Sequence, residues 1–115
     1  MNIEELREYC LSKKAATECF PFDEVTLVFK VCGKMFALTN LDGDLSVNLK
    51  CDPEKAVELR EEYTAVKPGY HMNKKLWNTL EIDGSIGDNL IKGWIDDSYD
   101  LVVLSLTKKQ RDELK

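Results

Sequence analysis

Twelve residues, Lys67-Pro68-Gly69-Tyr70-His71-Met72-Asn73-Lys74-Lys75-Leu76-Trp77-Asn78, gather most of the groups in this chain that could do chemistry. They include its only histidine and one of its two tryptophans, and from Tyr63 to Leu80 there is no Asp or Glu. Ammonium groups neutralise phosphates, rings stack on unpaired bases, and an asparagine side chain reads a base edge. Lys67, Lys74 and Lys75 supply the charge, Tyr70, His71 and Trp77 the rings, and Asn73 the amide. Lys30, Lys34 and Lys50, on neighbouring hairpins, extend the patch. The same residues admit a plainer reading, in which Tyr70 and Trp77 are core, Asn73 satisfies a turn and the lysines only solubilise. A rival reading makes Tyr70, Met72 and Trp77 an amphipathic pocket for a protein or a small ligand.

Other chemistries find less support. His71 titrates near neutral pH, but no nucleophile or orienting partner accompanies it, and Ser98 sits in a helical pattern as a cap or packing residue. No standard glycine-rich phosphate loop is present. A lone histidine among scattered thiols and carboxylates lacks metal-ligand spacing. The expectation is therefore no enzyme, no metal and no cofactor.

Composition sets the frame. A chain of 115 residues makes one domain, here residues 1–115, with enough length to bury a core without disulfides or metal. The net charge of −5 argues against strong general affinity for nucleic acid. Its distribution is uneven: Glu81–Lys115 carries eight acids against five bases, which permits one basic patch on an acidic body. Cys10, Cys19, Cys32 and Cys51 form no C-x-x-C pair, so reduced, partly buried thiols in a cytoplasmic protein are expected. No apolar run approaches a membrane span, and the start Met1-Asn2-Ile3-Glu4-Glu5 lacks the features of a signal peptide.

The elements that must position these residues follow from periodicity. Asn2 with Glu5 is a capping-box start, and Ile3, Leu6 and Cys10 keep helical spacing to about Lys13. Ala15 to Asp23 reads as a connector whose Phe20-Pro21-Phe22 tucks back against the core. Val25–Cys32 alternates as a strand, Gly33 turns it into Lys34–Asn40, and Asp42-Gly43 leads to a third strand, Asp44–Cys51. There Leu45, Val47, Leu49 and Cys51 face one way and Ser46, Asn48 and Lys50 the other, giving one packed face and one wet or ligand-facing face. Asp52-Pro53 starts a helix ending near Tyr63. Thr64–Lys67 is a short strand and Leu76–Ile82 a longer one, in which Leu76, Asn78, Leu80 and Ile82 share one side. With that set facing the core, Trp77 stands on the outer face. Ser85 with Asp88 resembles the start of the main helix, which reaches Leu106 with a break near Ser98. Thr107 with Gln110 begins a short terminal helix over Lys108–Lys115.

The combination resembles the MmcQ/YjbR family of small bacterial proteins. The resemblance rests on Phe20-Pro21-Phe22-Asp23, Val28-Phe29-Lys30-Val31, Gly33-Lys34-Met35-Phe36-Ala37, Asn48-Leu49-Lys50 before Asp52-Pro53, Tyr70-His71-Met72-Asn73-Lys74-Lys75 with Trp77, and Ser98-Tyr99 with Leu101-Val102, and it covers nearly the whole chain. It implies a frataxin-like (CyaY-like) α+β two-layer sandwich, an antiparallel sheet packed on one side by helices. It also implies a double-wing arrangement and DNA as a partner; with about three to five phosphate contacts from the lysines, a non-enzymatic module that binds weakly and salt-dependently is expected. Many members carry a second histidine just before the tryptophan, where this chain has Leu76, so roles needing two imidazoles are disfavoured.

Overall fold

Among the described residues, local capping starts three of the four helices. In the computed structural model, which describes residues 1–69 and 72–115, the Asn2 side chain accepts from the Glu5 N–H at 2.8 Å and Glu5 returns the bond to Asn2, opening α1 (Ile3–Leu11). Asp52 accepts from the Glu54 and Lys55 N–H groups and Pro53 takes the first position of α2 (Pro53–Glu62). Thr107 and Gln110 form a second capping box at α4 (Lys108–Glu113). The long helix α3 (Asp88–Leu104) has no side-chain cap; Gly87 precedes it, and Ser85 bonds Asp83 instead of starting the helix. Burial of Ile91, Ile95, Ser98, Tyr99 and Val102 along one stripe holds α3 in place.

Among the described residues six strands, β1 (Ala16–Cys19), β2 (Thr26–Val31), β3 (Lys34–Asn40), β4 (Ser46–Lys50), β5 (Val66–Pro68) and β6 (Trp77–Glu81), form one sheet in the order β1-β2-β3-β4-β6-β5. Every pairing is antiparallel. The helices pack on one face, as the α+β two-layer expectation requires. Leu6, Phe29, Phe36, Val47, Leu80, Ile91 and Ile95 belong to the core between the layers. Among the described residues no helix is long and apolar enough to cross a membrane.

Three expectations are corrected. The connector contains a strand, β1; at four residues it is too short for its alternation to stand out. Phe20 and Phe22 do not tuck inward but are exposed, Phe22 to 63%. The main helix is unbroken at Ser98. That hydroxyl, fully buried, donates to the Phe36 carbonyl at 2.6 Å and accepts from the Lys50 N–H at 2.8 Å. It ties α3 to β3 and β4. The tie falls where β3 bulges: the register shifts so that Phe29 faces Ala37 and Lys30 faces Met35, turning both Phe36 and Ala37 to the helix side.

Register then defines the face without helices. Partners across an antiparallel pair share a side. One row across it reads Lys67, Thr79, Asn48, Leu38, Val28 and Cys19 from β5 to β1. On one side lie Trp77 and Lys50, continued by Met35 and Lys30; on the other lie Glu81, Ser46, Asn40 and Thr26. This open face carries its own small cluster, Val28, Leu38 and Trp77, with Met35, Met72, Leu76 and Cys19 packed against it.

Candidate ligand-binding face

The sequence-predicted patch is built differently from its linear order. Trp77 stands on the outer face, as its parity requires, yet it is only 8% exposed under Met72 and Leu76. It is a covered ring, not the exposed stacking platform. Gly69 explains its seating: a side chain at Gly69 would place Cβ 2.8 Å from Trp77 Cβ, and the Gly69 N–H donates to the Trp77 carbonyl at 2.8 Å. Only glycine lets the β5 end lie so close to β6.

Nor is the acid-free window free of acid in space. Lys67 pairs with Glu81 at 2.5 Å, because β6 returns that carboxylate diagonally across from it on the same face. Lys34, at the β2–β3 turn, donates to the Ser105 carbonyl and lies apart from the patch. The Asn73 side-chain oxygen accepts from the Lys75 N–H at 3.0 Å, closing an Asx turn rather than presenting an acceptor for a base. Lys30 and Lys50 are half-buried on the open face, and Lys74 and Lys75 are exposed on the β5–β6 connection. None of these four has a carboxylate partner among the described residues. Tyr70 and His71 lie outside the described residues.

A groove of about 660 Å³ occupies the other part of the open face. Its floor is Thr26, Ser46, Asn48 and Thr79; Leu38 adds an apolar spot, and Phe22 with Asp23 and Met72 flank it from the two connections. The floor is neutral and rich in hydrogen-bonding groups. Thr79 Oγ1 donates to Asn48 Oδ1 at 2.5 Å, which fixes the Asn48 amide and turns its Nδ2 hydrogens to other acceptors. Asp23 is the one ionisable group among the described lining residues. It accepts from the Val25 and Thr26 N–H groups at 2.9 and 2.7 Å and from the Thr26 hydroxyl at 3.0 Å. These bonds, the Val25 N–H foremost, hold its carboxyl below the usual range, so it stays charged and engaged with its own turn. A second hollow of about 480 Å³ shares Ser46 and Thr79 and adds Asp44, Glu81 and Asp83. The open face thus grades from acidic at that end, through the neutral groove, to the side bearing Lys30 and Lys50.

Of the residues singled out in the sequence, Met72 from the rival pocket reading lines this groove and none of the nucleic-acid candidates does, although one further signal is present. Ser46 and Asn48 were assigned to the ligand-facing side of their strand, and Thr79 shares Trp77's side. What could not be read was that Phe22 and Met72, from distant connections, would close over them.

The comparisons with known proteins agree with this fold. The YjbR family model matches residues 11–101. The protein YbdF of Escherichia coli O157:H7 is 40% identical over 98 residues, spanning 84% of this chain and 80% of that protein. The protein YjbR of Escherichia coli K12 is 35% identical over 112 residues, spanning 96% of this chain and 95% of that one. Both carry the description "uncharacterized". The crystal structure of a Deinococcus radiodurans protein with the domain DUF419 superposes with a TM-score of 0.91 at 42% identity, covering 98% of this chain and 87% of that one.

Proposed function

The chain belongs to the YjbR family, and from that premise we propose that it is a non-enzymatic binding domain whose open sheet face takes up a small, uncharged, hydrogen-bonding ligand. One observation carries the reading: a groove of about 660 Å³ with a hydroxyl and amide floor, an aromatic flank at Phe22, and no basic side chain among the described lining residues. Its size and its mix of apolar walls with few convergent polar groups suit a ring-sized molecule. Asn48 Nδ2 donates, and Ser46 Oγ donates or accepts, to a flat amide or hydroxyl-bearing ring, and Phe22 and Met72 cover its faces. Asp23 is spent on its turn and offers no proton for acid–base work at neutral pH.

Nuclear magnetic resonance titration with nicotinamide, uracil and adenosine tests this reading. Shifts centred on Asn48, Thr79 and Thr26, abolished by Asn48→Leu with Thr79→Val and insensitive to added salt, are the expected result. If all three probes leave those amides unmoved, the groove is not a site for ligands of this class.

A DNA-binding reading has its own support in Lys30, Lys50, Lys74 and Lys75, four ammonium groups without carboxylate partners among the described residues. Four phosphate contacts to a single strand give a log–log salt slope of about −3. Fluorescence anisotropy of a labelled oligonucleotide at 50 and 200 mM salt distinguishes the two readings. This second reading expects affinity to collapse with salt and with Lys74→Ala plus Lys75→Ala.

A further inference from the structure

On the helix side of the sheet, on the face opposite the groove, Asn78 is 5% exposed and sits among apolar side chains. Its Nδ2 donates to the Ala56 carbonyl at 3.2 Å, which fixes the orientation of the amide and leaves Oδ1 with no hydrogen-bond partner. Buried acceptors are nearly always satisfied, and one left bare costs free energy that folding must supply. It lines a cavity of about 30 Å³ between α2, α3 and β6, walled by Leu49, Leu59, Leu80 and Trp94, with exposed Lys55 and Asp97 at its mouth. The inner space accepts one slim polar group. The half-buried Trp94 ring and the stem of Lys55 line the way out to solvent.

We propose that this cavity is a second ligand site, for a small amphiphile that enters head first, placing a single hydroxyl or N–H donor on Asn78 Oδ1 and its slim apolar stem along Trp94. The ordering of groups selects the ligand. An acceptor-only head meets an acceptor and is rejected, a carboxylate is repelled and desolvated, and a branched head is too wide for the inner space. Lys55 and Asp97 together present no net charge, so the tail is selected for shape rather than for sign.

The test uses two isomers of equal size, 1-butanol and methyl propyl ether, titrated against the full chain and followed by the side-chain amide resonances of Asn78 and the indole N–H of Trp94. Butanol should perturb both signals at a concentration about tenfold lower than the ether, the difference expected when a buried acceptor gains a donor. Asn78→Leu, which keeps the volume, should erase the preference while leaving a weak response to both. Because that variant also removes the Ala56 contact, Trp94→Leu, which keeps Asn78 and its bond to Ala56, provides a second check: it should weaken the response to both isomers yet retain the alcohol preference at the Asn78 side-chain amide. Equal response to the two isomers, or shifts confined to Asn48 and Thr79 on the opposite face, would overturn the proposal. So would a long-lived water on Asn78 that butanol fails to displace at any concentration tolerated by the fold.

Discussion

Gly69→Ala is the sharpest probe of how the open face is assembled. The new Cβ would lie 2.8 Å from Trp77 Cβ and 2.9 Å from the Trp77 carbonyl oxygen, about 0.6 Å inside ordinary contact for the carbon pair. Neither neighbour yields easily: β6 is pinned to β4 through five registered pairs, and Trp77 is wedged against Val28 and Leu38. Overpacking of this kind costs about 1–3 kcal/mol, and straining the Gly69 N–H bond to Trp77 adds about 1 kcal/mol. For a domain of this size the sum lowers Tm by about 8–16 °C. Differential scanning calorimetry measures that loss, and the indole resonance of Trp77 reports whether the ring moves. Gly93→Ala is the internal control. It lies in α3 with nothing within 4 Å of the added Cβ, so it should raise stability by about 0.5–1 kcal/mol. If Gly69→Ala melts within a degree of the parent and the Trp77 signal stays put, the close approach of β5 to β6 is wrong, and with it the account of why Trp77 is covered.

Ser98→Ala leaves the Phe36 carbonyl and the Lys50 N–H without their buried partner and should cost about 2–4 kcal/mol in urea unfolding. Asp96 shapes the acid limb of stability. Burial works against its charged form, but hydrogen bonds from Lys13 and Tyr9 outweigh this and hold its carboxyl below the usual range. Its stabilisation is therefore full above the ordinary aspartate pKa of about 3.9 and disappears as pH falls through the lower folded value. Asp96→Asn should flatten that limb in pH-dependent melts. Burial pushes the Cys10 thiol up to about 12, so mass spectrometry after iodoacetamide at pH 8 should find Cys10 unmodified in the native chain and modified in urea.

Much of the scaffold was legible because it rests on local rules. The caps at Asn2, Asp52 and Thr107 and the alternation in Asp44–Cys51 depend on neighbours a few residues away. So does the side taken by Trp77. Failures occurred where distant partners decide. β1 exists because Ala16–Cys19 finds β2, not because its four residues insist on it. Ser98 looked like a break, since a serine hydroxyl competes with helix backbone; here the hydroxyl is occupied by the sheet. The functional patch was harder still. A window without acids in sequence received Glu81 through strand pairing, and Asn73 was consumed by its own turn. The groove draws Phe22, Asn48, Met72 and Thr79 from four parts of the chain, a juxtaposition no spacing reveals.

The margins of the sheet have a bearing on how the molecule keeps to itself. At one border β5 offers three residues and ends in Pro68, which has no amide hydrogen to lend to another strand. At the opposite border β1 offers four, among them Glu18, clamped by Arg7 through two bonds. A foreign strand seeking to extend the ladder finds too few rungs at either side. Contact with other molecules is thereby diverted from backbone zippering, a common route to fibres, toward side chains on the uncovered surface.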